Sequence, residues 1–205
     1  MSMIVDVFVD MMKLKMECSE CRRCSMGGHM VDGKFLANVF SNMNCTARFM
    51  VVGQNPGREE VEKGEPMVGV SGRFLDDALE SVGLHREDFY ISNILRCHVS
   101  GDRKPSQEEL ENCRVFLDRE IETLKPVLIV ALGGLALQWL TGMRGIMKHH
   151  GEVVFSPRYK TFVFPMLHSS LLNMNLVENR NLFLEDLEKL KKAADDARRA
   201  TEARV

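Results

Sequence analysis

A chain of 205 residues, 45% of them hydrophobic, is long enough to bury one substantial core and reads as a single domain spanning 1–205. Lys plus Arg number 27 and Asp plus Glu 29, so the formal net charge is −2; no global basic field marks a nucleic-acid partner, and any such surface must be local. The apolar runs are too short to span a bilayer, and residues 1–16 carry Asp6, Asp10, Lys13 and Lys15 at intervals instead of a leader core, so the expected location is cytoplasmic, with no membrane partner.

In a reducing compartment the 6 cysteines read as metal ligands or buried thiols in preference to disulfides. Residues 3–16 place Ile4, Phe8, Met11 or Met12, and Leu14 at three- and four-residue spacings, which predicts an amphipathic helix covering a sheet. It leads into Cys18-Ser19-Glu20-Cys21-Arg22-Arg23-Cys24, where cysteines two residues apart form a chelating loop. A loop rich in Gly, Asn and Ser follows from Ser25 to Ala47. The apolar run Met50-Val51-Val52 then stops in Gly53-Gln54-Asn55-Pro56-Gly57, a buried strand delivering a tight loop at its carboxyl end. That edge is where open parallel sheets bind ligands. Glycines at 53 and 57 let the backbone approach a ring or phosphate, and Pro56 stiffens the turn from which Asn55 projects.

Gly64 to Gly72 is too rich in glycine for a helix interior and predicts a second loop on the same rim. A helix is expected from about Arg73 to Val82, ended by Gly83. Phe89 to Leu95 reads as the second strand, with Asn93 near its carboxyl end; a buried amide there needs partners, and a ligand is one candidate. Ser106 with Glu109 three residues on is a capping box, starting a helix with Leu110, Cys113, Phe116, Leu117, Ile121 and Leu124 inward. Val127 to Leu132 is the unbroken apolar run of a central parallel strand, and Gly133-Gly134 turns it into a short helix. His149-His150-Gly151 reads as a solvent-facing loop. Thr161 to Met166 is the fourth strand, delivering Leu167-His168-Ser169-Ser170-Leu171-Leu172 to the rim, and a long helix runs from about 176 to 204. Strands alternating with helices give an α/β fold, a three-layer α/β/α arrangement with a central, mostly parallel four-stranded sheet. Loops at Gln54-Asn55, Asn93 and His168 then meet at one edge.

Those loops, in that order, resemble the uracil-DNA glycosylase superfamily, and the cysteines narrow the resemblance to its family 4, iron–sulfur branch. Members of that branch carry a Gly-Glu-Ala-Pro-Gly-like motif, a Gly-x-Pro-Phe-Val-Gly loop, an Asn strand running into a cysteine, an Asn-Arg-x-Pro turn, a helix with the fourth cysteine, and a late His-Pro motif. The counterparts here are Gly53 to Gly57, Gly64 to Gly69, Asn93 to Cys97, Asp102 to Pro105, Cys113, and His168-Ser169-Ser170, so the likeness runs from Cys18 to Leu190.

The resemblance implies that Cys18, Cys21, Cys97 and Cys113 hold a 4Fe-4S cluster in an architectural role, with Cys24 as a substitute ligand; spacing alone equally permits structural zinc. It implies uracil-containing DNA as the partner, a flipped base, and hydrolysis of the N-glycosidic bond to leave an abasic site; no obligate protein partner follows from it. By position, Asn93 would read the base, with Gly53, Gln54, Gly57 and Met67 around it; Asn55 would place the attacking water and His168 would donate to uracil O2. Leu171 or Leu172 would be the wedge, and Ser169 and Ser170 phosphate contacts, joined by rim cations from Arg58, Lys63, Arg73, Arg103, Lys104, Arg144 and Lys148. Gly57, where the family 1 motif has tyrosine, would leave the space beside uracil C5 open. The chain departs from the branch at Gln54 for glutamate, Asn55 for alanine, Met67 for phenylalanine and Ser169 for proline. Those departures leave a catalytically weak or silent iron–sulfur DNA-binding protein of the same fold as the alternative.

Overall fold

The computed structural model describes residues 2–26, 30–31, 34–35, 38–99, 103–170 and 174–202. Helix α1 (Ser2–Ser19) is followed by a small antiparallel hairpin, β1 (Met30–Val31) and β2 (Lys34–Phe35), inside the stretch expected to be all loop. Then come β3 (Phe49–Gly53), α2 (Arg58–Lys63), α3 (Val70–Ser81), β4 (Phe89–Asn93) and α4 (Gln107–Leu124). The chain continues through β5 (Leu128–Leu132), α5 (Gly134–Thr141), β6 (Val154–Ser156), β7 (Thr161–Met166) and α6 (Val177–Glu202).

The main sheet has the order β4-β3-β5-β7-β6, with the first four strands parallel and β6 antiparallel to β7. The sheet is therefore five-stranded, one more than the sequence pattern indicates. Strand β6 is only three residues long and exposes Phe155 on the edge, edge-to-face with Phe162 at 5.7 Å, so it has no buried apolar run to announce it. Strands β3, β4 and β5 are buried at every position, as two-sided coverage of a parallel sheet requires. Met50, Val52, Ile129 and Ala131 face the layer of α1, α4 and α5, whereas Phe49, Val51, Leu128 and Val130 face α3 and α6. Fully burying each of the Val, Leu, Ile, Phe and Met side chains among them is worth about 1.5–3 kcal/mol before chain entropy is counted.

Local chemistry sets the helix ends. The Ser106–Glu109 capping box forms as the sequence predicts, with Glu109 N donating to Ser106 Oγ at 3.1 Å and Ser106 N to Glu109 Oε2 at 2.7 Å. Helix α3 begins at Val70, earlier than expected, because the Gly72 position lies against the Met67 carbonyl and only a residue without Cβ fits there. Helix α2 was not anticipated; it is a single short helix between the two rim loops. In α1 the inward residues are Met11, Leu14 and Cys18, while Ile4, Phe8 and Met12 face solvent, so half of the expected stripe lies on the wrong side. His150 is not solvent-facing: its Nδ1 lies 2.7 Å from Asp186 Oδ2, a fully buried carboxylate on α6.

Candidate active site at the carboxyl ends of the strands

Strands β3 and β4 end in register, so Gly53 and Asn93 are direct neighbours. A Cβ at Gly53 would lie 2.5 Å from Asn93 Oδ1 and would also collide with Met67 Cε, so glycine is what allows these two side chains to converge over the strand end. Asn93 is 1% exposed, and its Oδ1 has no hydrogen-bond partner among the described residues. Such an acceptor costs roughly 1–3 kcal/mol unless something satisfies it. Met67 adopts φ +53, a left-handed conformation rare for a side chain of this size, and is held there by Arg86, which donates to the carbonyls of Pro66 and Met67 at 2.7 and 2.9 Å. Arg86 is itself paired with Asp76 at 3.1 Å.

The loop after β3 is tied to the exit of β4: Ile94 N donates to Gly53 O at 3.0 Å and Leu95 N to Gln54 O at 2.9 Å. Gln54 Nε2 donates to Asn55 Oδ1 at 3.0 Å, and Asn55 Nδ2 to Pro56 O at 3.0 Å, which fixes the Asn55 amide. Pro56 O also lies 2.9 Å from His98 Nδ1, so the residue after Cys97 clamps the same loop. Across the rim, Ser170 N donates to His168 Nδ1 at 3.1 Å, which places the proton of the neutral ring on Nε2. Burial lowers the pKa of His168 below its ordinary 6.5, with the charge of Glu60 pulling weakly the other way.

Glu60 is the residue that sequence reasoning missed. It sits in the first turn of α2, is buried, and accepts from Gly69 N at 2.9 Å through Oε1. A Cβ at Gly57 would lie 2.5 Å from Glu60 Oε2, and one at Gly69 would lie 2.8 Å from Oε1. The space beside Gly57, expected to be open, is therefore taken by this carboxylate. Its position three residues after the helix-capping Gly57 was the available signal, since a glutamate there commonly turns back on the loop.

The cysteines gather at a second place, beneath the exit of β4. Cys18 and Cys113 are buried and Cys21, Cys24 and Cys97 half-buried. Burial pushes the Cys18 thiol up to about 12 and Cys113 to about 11, and Cys97 upward too; neighbouring thiols add to each, with Cys97 coupled to Cys18, Cys21, Cys24 and Cys113. Arg96 N donates to Cys113 Sγ at 3.3 Å, and Cys97 Sγ lies 3.1 Å from Asn38 Oδ1. Among the described residues no three His, Cys, Asp or Glu converge tightly enough to ligate a single ion. Beside the thiols lies Arg96, 1% exposed and paired with the fully buried Glu120 at 2.6 Å; Glu120 also accepts from Tyr90 Oη at 2.9 Å and Ser92 Oγ at 2.7 Å. The Nε of Arg96 is buried and has no partner among the described residues.

The chain that builds this rim from the ends of β3, β4 and β7 matches a known family over most of its length. The profile described as "Uracil DNA glycosylase superfamily" matches residues 40–191. The chain belongs to that superfamily. It is 38% identical over 151 residues to the type-4 uracil-DNA glycosylase of Thermotoga maritima, covering 72% of this chain and 78% of that one. With the type-4 enzyme of Sulfurisphaera tokodaii it shares 30% identity over 201 residues, 92% of this chain and 87% of the relative. The Archaeoglobus fulgidus type-4 enzyme is 40% identical over 124 residues, which is 60% of each chain.

Within this superfamily frame the structure brings Gly53, Gln54, Asn55, Gly57, Met67, Asn93 and His168 to one rim. Ser169 is buried, its hydroxyl without a partner among the described residues, so it does not present itself to a phosphate; Ser170 is half-exposed. Leu171, Leu172 and Asp102 lie outside the described residues. Several expected rim cations are already engaged: Arg73 with Glu59 at 3.0 Å, Lys63 with Glu59 at 3.6 Å, and Arg103 with Glu109 at 2.6 Å. Arg58, Lys104, Arg144 and Lys148 are exposed.

Proposed function

We propose that this protein is a monofunctional uracil-DNA glycosylase, which flips uracil out of DNA and hydrolyses its N-glycosidic bond to leave an abasic site. The observation that carries the reading is the orphaned Asn93 Oδ1 at the buried strand end. Uracil offers N3–H as donor beside O4 as acceptor, so one side-chain amide satisfies both while the base satisfies the amide; cytosine, with an acceptor at N3, does not. Met67 lies over Gly53 as the apolar surface for the ring. His168, neutral and protonated at Nε2, donates toward uracil O2 as negative charge gathers on the departing base. Asn55, with its amide fixed by Gln54 and Pro56, orients the water that attacks the sugar cation. The uracil-containing strand is held by Ser170 and by exposed cations such as Lys104, Arg144 and Lys148, with Leu171 or Leu172 as the wedge.

The thiols support a 4Fe-4S cluster held by Cys18, Cys21, Cys97 and Cys113, with Cys24 as a fifth candidate, and the type-4 relatives favour it over zinc. The orphaned Arg96 Nε–H suits an anionic centre beside it. When bound, such a cluster supplies a cross-link between α1, the β4 exit and α4. The reading is tested by single-turnover assay on a uracil-containing oligonucleotide, with products separated before and after alkali. Free uracil and an alkali-labile site are expected, abolished in Asn93→Ala without loss of DNA affinity. Binding without release in the parent protein would establish the silent DNA-binding alternative instead.

A further inference from the structure

Helix α1 is apolar on two opposite faces. Met11, Leu14 and Cys18 pack inward with Leu110, Phe116 and Leu117 of α4. On the other side Val5, Phe8, Val9, Met12 and Met16 are between 38% and 62% exposed. Asp6, Asp10, Lys13 and Glu17 line one flank between these faces, so the outer apolar stripe is left in solvent, where an amphipathic helix ordinarily shows polar residues. Val5, Val9, Met12 and Met16 recur at intervals of four, three and four residues, the seam of one helix in a two-stranded coiled coil.

The charges beside the seam narrow the occupant. Asp6 and Lys13 are seven residues apart, two helical turns, and so lie on the same flank, with the acid nearer the amino end. In an antiparallel two-fold pairing each Asp6 meets Lys13 of the other helix, twice over, and the patch is complementary to itself. Lys13 is at present bonded to Asp10 at 3.2 Å, an exposed pair that exchanges at little cost. We propose that this face docks a second copy of the chain through antiparallel α1 helices. Helix α1 runs from a groove it shares with Arg48 and Val127, at the starts of β3 and β5, to Cys18 at the β4 exit, along the strand direction. The two candidate active sites of such a dimer face opposite ways and neither is covered.

Sedimentation velocity on the full chain, over a concentration series from micromolar to millimolar, tests this. The expected result is a monomer–dimer equilibrium that Val9→Glu shifts to monomer, with an unchanged circular dichroism spectrum and melting curve. Asp6→Lys and Lys13→Asp are each expected to weaken the dimer, and the double exchange to restore it. A chain that stays monomeric throughout overturns the proposal. So does a dimer indifferent to Val9→Glu, since another surface then holds it, or one that is indifferent to both Asp6→Lys and Lys13→Asp, since these residues then do not meet across the pairing.

Discussion

In its proposed role the histidine at the rim would work only as a neutral ring, because Nδ1 accepts from Ser170 N and Nε2 is left as the donor. Protonation fills Nδ1 and forces it against that amide. Since burial lowers the pKa below 6.5, the acid limb of the rate–pH profile should fall below pH 6.5, and His168→Ala should lose about 10²–10³ in turnover, the usual worth of one such donor. The same sign applies to stability: whatever the neutral ring contributes is present above 6.5 and is lost as pH drops through the folded value. Glu60 raises that value, so Glu60→Gln, which keeps the Gly69 contact but removes the charge, should move the acid limb still lower. A limb that stays put or moves upward in this variant would show that Glu60 is not the charge His168 feels.

Between elements, the tie between β4 and α4 is electrostatic. Arg96 and Glu120 are both buried, with Tyr90 and Ser92 occupying the remaining acceptor positions of the carboxylate. Burial disfavours the Arg96 charge, but Glu120 and the thiols of Cys18 and Cys113 outweigh it. Glu120→Ala strands that cation and should destabilise the fold by roughly 3–5 kcal/mol in chemical denaturation. The cysteines beside it are separable by assay. Iron per chain, measured on Cys18→Ala and on Cys24→Ala, should drop sharply in the first and little in the second; the reverse would move the ligand set to Cys21, Cys24, Cys97 and Cys113.

For the molecule as a whole the 27 Lys and Arg are balanced by 29 Asp and Glu, and several of the expected rim cations are already paired, so DNA binding should depend only modestly on salt. If about three uncommitted cations meet phosphates, the slope of log affinity against log salt is about −3. A much steeper slope would require Arg73 or Arg103 to leave its carboxylate. The sequence made the strands of the site legible because β3, β4 and β5 are largely apolar runs that stop at Gly53, Asn93 and just before Gly133, and because the Ser106 cap is purely local, but their order in the sheet did not show in it. It hid what depends on contacts remote in the chain. Glu60 matters because Gly69 folds back on it, His150 because Asp186 reaches it from α6, and the inward face of α1 because α4 defines it.

That last dependence shapes how the protein comes into being. Helix α1 leaves the ribosome well before α4, the element that covers Met11, Leu14 and Cys18. Throughout that interval the nascent chain displays an 18-residue helix with two uncovered apolar faces and a thiol at its end, a natural target for chaperones and for premature oxidation. Pulse-labelled translation intermediates should show α1 protected from protease only after Leu124 has emerged, making closure of the cysteine site one of the later events of synthesis.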